Sequence, residues 1–329
     1  MGHPALSSTA SRLPDDAGIV GRLVANRYLI EEVYERSSHS VIYRAHHLVN
    51  DRFVLLRVLE ERSGVTREVC RDALAFAERA AGLPSPHIAR TLDVGVVADR
   101  WPFIVSEYSR GKTLAALLER SGPLALGRVL PIARQLANVL SMAHMARMVH
   151  GTLHLHGIWV ESPSGRPEWI RLLDFGVSEL PPAGFSSSGS GVFPSATRRP
   201  GAADGFSPAA VLSDIQGLGA LLYELASGSP VNWAERDVAA GLDLRFAGAG
   251  WSGERALLRG FSMIIERCLG PQDHYRSLEE LAYDLDSLTE TAAAIGAPSE
   301  LASPPVTTVH APARRAQVAL GGPKVIVRD

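Results

Sequence analysis

One change of pattern constrains this chain more than any other feature: strand-like runs fill the stretch before Tyr108, and helical periodicity takes over after it. The runs RYLIEEVY (27–34), SVIYRAHH (40–47), FVLLRVLEE (53–61), RTLDVGVV (90–97) and PFIVSEY (102–108) are short and rich in β-branched and aromatic residues, which suits strands. A single helical pattern, VTREVCRDALAFAERAAGL (65–83), interrupts them. Beyond Tyr108, the segments 113–121, 126–148, 213–228, 253–270 and 277–294 place apolar residues at i, i+3, i+4 and i+7, the stripe an α-helix needs to bury one face. The expectation is an α+β fold of two lobes. Residues 19–108 form a β-rich N-lobe with one main helix, and residues 109–291 form a mostly helical C-lobe, with Gly111 at the passage between them.

The 329 residues are 46% hydrophobic and 21% charged, enough apolar material for a sizeable core. A net charge of −2 argues against bulk electrostatic binding to nucleic acid or to a membrane surface. No apolar run reaches the length of a membrane span, and MGHPALSSTASRLPDD lacks the basic and apolar regions of a secretory signal, so a cytoplasmic protein is expected. Cys70 and Cys268 stand far apart and outside any zinc spacing, which reads as two reduced, buried thiols. Residues 1–18 and 292–329 are rich in Ala, Ser, Pro and Thr without periodicity and read as disordered tails.

The most specific letters lie between the second and third helical segments of the C-lobe. There, GIWVE (157–161) and WIRLLDF (169–175) flank a turn, SPSGRP, and the second run ends in Asp174-Phe175-Gly176. A Gly-, Ser- and Pro-rich stretch of about two dozen residues follows, too long for a plain connector. Together with the strand-to-helix order, this resembles the protein-kinase fold of the bacterial serine/threonine type. The resemblance runs from about Ile19 to Thr291. It rests also on SPHIARTLDVG before the fourth strand, PFIVSEYSRGKTLAALLE at the hinge, SDIQGLGALLYELASG opening with Asp214, and CLGPQDHYRSLEEL carrying Arg276.

The resemblance implies a nucleotide cleft lined by Glu35, Ser37, Ser40, Ile42, Leu55, Arg57, Ser106, Trp159 and Asp174, and most of these depart from what phosphoryl transfer requires. Glu35, Ser37 and Ser40 replace the three glycines whose backbone amides approach phosphate oxygens, and Glu35 adds a repelling charge. In Val54-Leu55-Leu56-Arg57, Arg57 stands at the phosphate-binding lysine and Leu55 at the alanine above the adenine. The catalytic loop reads His150-Gly151-Thr152-Leu153-His154-Leu155-His156-Gly157. Thr152 replaces the catalytic aspartate and has no basic group near neutral pH, His154 sits at the lysine, and Gly157 offers no ligand for a second magnesium. Gly151 removes the arginine that reads a phosphorylated activation segment, and Trp159 stands where a leucine floors the adenine. Asp174 alone keeps a magnesium-binding letter, a weak site without partners, and pairing with Arg57 is its other use. The acidic position of the N-lobe helix falls near Phe76, flanked by Asp72 and Glu78, and the register there stays open; the Ala-Pro-Glu position falls near Gly201-Ala202, leaving Arg276 without its usual partner. His150, His154 and His156 have a spacing open to zinc, against the reading of His150 as a buried core histidine and the other two as surface residues.

With so many groups lost together, the expected function is that of a catalytically inactive kinase-like protein, a pseudokinase. It would act as a regulatory or scaffolding module that binds protein partners, an active kinase or its substrate among them, with no cofactor and with ATP and Mg²⁺ bound weakly or not at all. Leu55 above and Trp159 below are expected to fill the adenine slot. Two alternatives stand beside this reading: an atypical ATP-binding serine/threonine kinase using Arg57 and Asp174, and a small-molecule sensor using the altered cleft. Ser186, Ser187, Ser188 and Ser190 form a candidate phosphorylation segment, with Arg198 and Arg199 as its nearest basic partners.

Overall fold

The computed structural model describes residues 18–36, 40–59, 67–97, 101–109, 111–151, 153–161, 168–173, 175, 206–231, 252–270 and 273–294. Ser37, Thr152, Asp174, the Ser186–Ser190 segment, Arg198, Arg199, Gly201, Ala202 and nearly all of both expected tails lie outside the described residues.

The N-lobe is an antiparallel sheet of β1 (Leu23–Val24), β2 (Tyr28–Arg36), β3 (Ser40–His47), β4 (Arg52–Leu59), β5 (Thr91–Val97) and β6 (Trp101–Glu107), in the order β1-β2-β3-β4-β6-β5. Strand side chains alternate between faces, and the pairing register shows which face each residue takes. Val41, Tyr43, Ala45, Val54, Leu56, Val58, Phe103 and Val105 share one face and form the lobe's own core. Ile42, Leu55, Arg57 and Ser106 occupy the opposite face, which looks toward the C-lobe, with Ile42 opposite Arg57 and Leu55 opposite Ser106. Helix α1 (Arg67–Ala81) packs on β5. In α1, Phe76 is buried and Asp72 and Glu78 are exposed, so neither flanking acid is turned inward.

A β-bulge departs from simple alternation in β2. Val33 pairs with Tyr43 and Glu35 with the adjacent Ile42, so two steps along β2 match one step along β3. The extra residue, Tyr34, re-aims the end of the strand, and Glu35 follows Ile42 onto the cleft face.

The C-lobe begins at β7 (Lys112–Thr113), which pairs with β8 (Ile158–Glu161), itself paired with β9 (Trp169–Leu172). Helices α2 (Leu114–Ser121), α3 (Leu126–Met145), α4 (Pro208–Ser227), α5 (Ser252–Leu269) and α6 (Leu278–Ala294) surround one core running from Leu114 to Ala292, which Phe76, Ala80 and Ile88 of the N-lobe join. Thr113 caps α2 by accepting from the Ala116 amide, and Ser207 does the same for α4, with Pro208 supplying the first helical position. Gly228 ends α4 at φ +74°, the left-handed conformation in which glycine meets no Cβ penalty. Cys70 and Cys268 are buried free thiols, and burial pushes both above their ordinary pKa. Among the described residues, no helix is long and apolar enough to cross a membrane.

Candidate functional site: the cleft between the lobes

Between the N-lobe sheet and β8, apolar side chains from both lobes meet across the cleft. Trp159 is 0% exposed and belongs to one apolar cluster with Ile42, Leu55, Ala89 and Leu173, against which Tyr34 and Tyr108 also pack. Leu55 comes from above, carried by β4, and Trp159 from below, carried by β8. The Tyr34 ring lies 5.2 Å from the indole. Trp159 Nε1 is buried and finds no hydrogen-bond partner among the described residues. Gly111 makes this packing possible: a Cβ there would collide with the Val160 carbonyl oxygen and come within 2.8 Å of Trp159 Nε1.

Polar groups cross the same gap. Glu35, only 12% exposed, accepts from the Thr113 hydroxyl at 2.6 Å and pairs with His156 Nδ1 at 2.8 Å through one carboxylate oxygen. Tyr34 donates its hydroxyl to the Gly111 carbonyl at 2.7 Å. Arg57, buried at 5% exposure, donates to the His156 carbonyl at 2.5 Å. Glu35 therefore does not behave as an exposed turn residue, and His156 is not a free surface histidine. Sequence alternation misses this because the bulge at Tyr34 decides where Glu35 points.

Behind the cleft, the catalytic-loop segment is held by α4. Asp214 is 1% exposed and accepts from the His150 amide at 2.8 Å and the Gly151 amide at 2.7 Å, and it pairs with His144 Nε2 at 2.9 Å. His144, on α3, carried no motif that would single it out in the sequence. His150 is fully buried, meets the Leu173 carbonyl through Nε2 at 2.8 Å, and lies edge-on to Phe175 with ring centroids 4.8 Å apart. Gly151 adopts φ +79°, a conformation that favours glycine at this turn. His150 turns away to the Leu173 carbonyl while the His154 and His156 rings lie 6.4 Å apart, and among the described residues no group of three or more metal-ligating side chains is gathered. Leu153 and Gly157 are buried, and Gly157 accepts from the Leu173 amide at 2.8 Å, bringing the loop onto the strand that leads to Phe175.

His87 and its neighbours join the lobes from the rear. The Ala89 amide donates to the Leu172 carbonyl at 2.9 Å, the Leu172 amide to the His87 carbonyl at 2.7 Å, and His87 Nδ1 meets the Ile170 carbonyl at 2.9 Å. Burial, the largest influence, holds the His87 imidazole below its ordinary pKa; the Ile170 bond opposes this and the Arg171 charge adds to it. At the hinge, Ser109 donates to Glu161, and Arg171 lies between Glu107 and Glu161.

A strand lobe with one helix, a hinge, a helical lobe and a catalytic-loop histidine beneath Phe175 define a bilobal kinase-type protein. The chain matches the protein tyrosine and serine/threonine kinase family over residues 37–277, and it belongs to that family. It is 30% identical over 227 residues to the serine/threonine-protein kinase pkn3 of Myxococcus xanthus, covering 66% of this chain and 40% of that protein. It is 33% identical over 206 residues to PknK of Mycobacterium bovis, covering 60% of this chain and 17% of that protein. The chain thus spans well under half the length of these curated relatives. Among solved structures, the kinase domain of Mycobacterium tuberculosis PknI shares the fold, with a TM-score of 0.56 at 20% identity over 82% of this chain and 98% of that one.

Proposed function

We propose that this kinase-family chain is catalytically inactive and acts as a regulatory or scaffolding module that binds other proteins in signalling. One observation supports the reading: Trp159, which the kinase resemblance puts at the floor of the adenine site, is packed at 0% exposure with Leu55 and Ile42. Burying such a side chain stabilises the lobe contact by about 25 cal/mol per Å² of apolar surface, and a nucleotide would have to displace it. The lost chemistry points the same way. Arg57 is spent on a backbone carbonyl, Glu35 fills the position of a phosphate-cradling glycine, and Gly157 carries no metal ligand. The partner, on this reading, is a protein such as an active kinase or its substrate, met by the outer surfaces of the lobes.

The test is a thermal-shift titration with ATP, alone and with Mg²⁺ or Mn²⁺, because a ligand that binds only the folded state raises the melting temperature. No shift is expected at millimolar nucleotide. Radiolabelled ATP should give no incorporation into the chain or into generic substrates. Incorporation abolished by Asp174→Ala would overturn the reading and favour an atypical serine/threonine kinase, the activity for which the curated relatives are named.

A further inference from the structure

The contacts around the cleft fall on three sides. At the hinge, Ser109 meets Glu161, and at the rear His87 and Ala89 are bonded to β9. Two anchors of this kind, taken alone, would leave the front of the cleft unbraced. Contacts on the third side brace it. At the front, Glu35 reaches Thr113 and His156, and Tyr34 reaches Gly111. Arg57, deeper in, reaches the His156 carbonyl. The Glu35 and Arg57 contacts join the N-lobe sheet to the C-lobe, the Tyr34 contact joins it to Gly111 at the passage between the lobes, and together they lie around the buried Trp159. Glu35 presents a carboxylate to the capped N-terminus of α2, where Thr113 both accepts from the Ala116 amide and donates to Glu35. A helix N-terminus favours a negative group at that place.

We infer that Tyr34, Glu35 and Arg57 form an interlobe clasp that holds the two lobes closed without any bound nucleotide, so that a partner meets a surface of fixed lobe-to-lobe geometry. This deepens the inactive-cleft reading and rests on it. Lobe closure, which a ligand bridging the two lobes would otherwise stabilise, is here a property of the chain itself. The carboxylate of Glu35 takes the place of the ligand in that role, and the bulge at Tyr34 is the backbone device that aims it.

The experiment measures the distance between the lobes in the full chain by pulsed electron paramagnetic resonance. Nitroxide labels go on Val49→Cys in the N-lobe and Tyr283→Cys in the C-lobe, both highly exposed positions, while the native Cys70 and Cys268 are buried. The labelled parent should give one narrow distance distribution, the same with and without Mg²⁺-ATP. Tyr34→Phe with Glu35→Ala should broaden it and shift it to longer distance, because losing a hydrogen bond to a charged group raises the open population by roughly ten- to a hundredfold. Glu35→Gln, whose amide oxygen still accepts from Thr113 and His156, should stay near the parent. Should the double variant fail to fold, Tyr34→Phe and His156→Ala, each removing one front contact, carry the same comparison. A parent distribution that is already broad, or folded variants indistinguishable from the parent, overturns the clasp. Failure of the clasp with no ATP shift leaves the inactive-cleft reading standing. An ATP-induced thermal shift in the parent sinks that reading whatever the distances show.

Discussion

Replacing Trp159 with leucine sets two opposed effects against each other, and the structure gives the ingredients for each. Trp159 is fully buried, so leucine removes roughly 70 Å² of apolar contact surface, worth about 1.8 kcal/mol at about 25 cal/mol per Å². The shortened side chain leaves a cavity of roughly 30 Å³ after partial collapse, adding about 0.7 kcal/mol at about 24 cal/mol per Å³. Against these stands Nε1, buried without a partner. Deleting an unsatisfied buried donor returns about 1 kcal/mol or somewhat more. The net loss is about 1.5 kcal/mol, which for a domain of this size lowers the melting temperature by roughly 3–6 °C. Trp159→Phe separates the effects, because it removes the orphaned N–H while keeping an aromatic ring, and it should melt within about 2 °C of the parent. Differential scanning calorimetry of the three proteins at one pH decides the matter. A parent-like melt for Trp159→Leu, or a lower melt for Trp159→Phe than for Trp159→Leu, would refute the packed-cleft reasoning.

Asp214→Ala strands two backbone amides and the His144 ring nitrogen in the interior and should cost about 3–5 kcal/mol in urea unfolding. Gly111→Ala forces a methyl into the Val160 carbonyl and the Trp159 indole; a loss of about 3 kcal/mol or failure to accumulate as folded protein is expected, and a parent-like urea midpoint would contradict the contact. For His87, burial lowers the native pKa below the ordinary value of about 6.5 that the unfolded chain keeps. The unfolded state then binds the proton first as pH falls, so the stability this residue supports is complete above pH 6.5 and is lost on acidification through the lowered native value. Urea midpoints measured from neutral pH downward should fall less steeply in His87→Gln than in the parent.

The strand-to-helix switch at Tyr108 and the apolar periodicities locate the principal elements, because burial of a stripe or a face is a local property of sequence. The final helix reaches Ala294, and α4 begins at Pro208, several residues before its apolar pattern, since Ser207 and Pro208 set the start. The two-residue strands β1 and β7 escape a sequence reading because they have no period of their own and exist through pairing with β2 and β8. Leu55 above and Trp159 below were legible from motif position, and the structure brings them into one cluster with Ile42. Ser40 and Ser106 show the limit of position alone: Ser40 opens β3 in register with Leu59, and Ser106 is buried in register with Leu55 and Thr91. The partnership of Glu35 with His156 joins positions 121 residues apart through a bulge, and nothing in either local pattern announces it.

At the positions that the kinase resemblance gives to a phosphate-cradling glycine and to the phosphate-binding lysine, the cleft holds Glu35 and Arg57, and each has partners across the gap. Glu35 is nearly buried and holds two partners from the other lobe. Arg57 likewise donates across the gap to the His156 carbonyl. His156 is the common member, accepting from Arg57 through its carbonyl and meeting Glu35 through its ring, three residues before Trp159. Contacts that share a member are coupled, so removing Glu35 and Arg57 together should cost less or more than the sum of the single losses by about 0.5 kcal/mol or more. Strict additivity in a double-mutant cycle would mean that the two residues brace the cleft independently and that His156 does not link them.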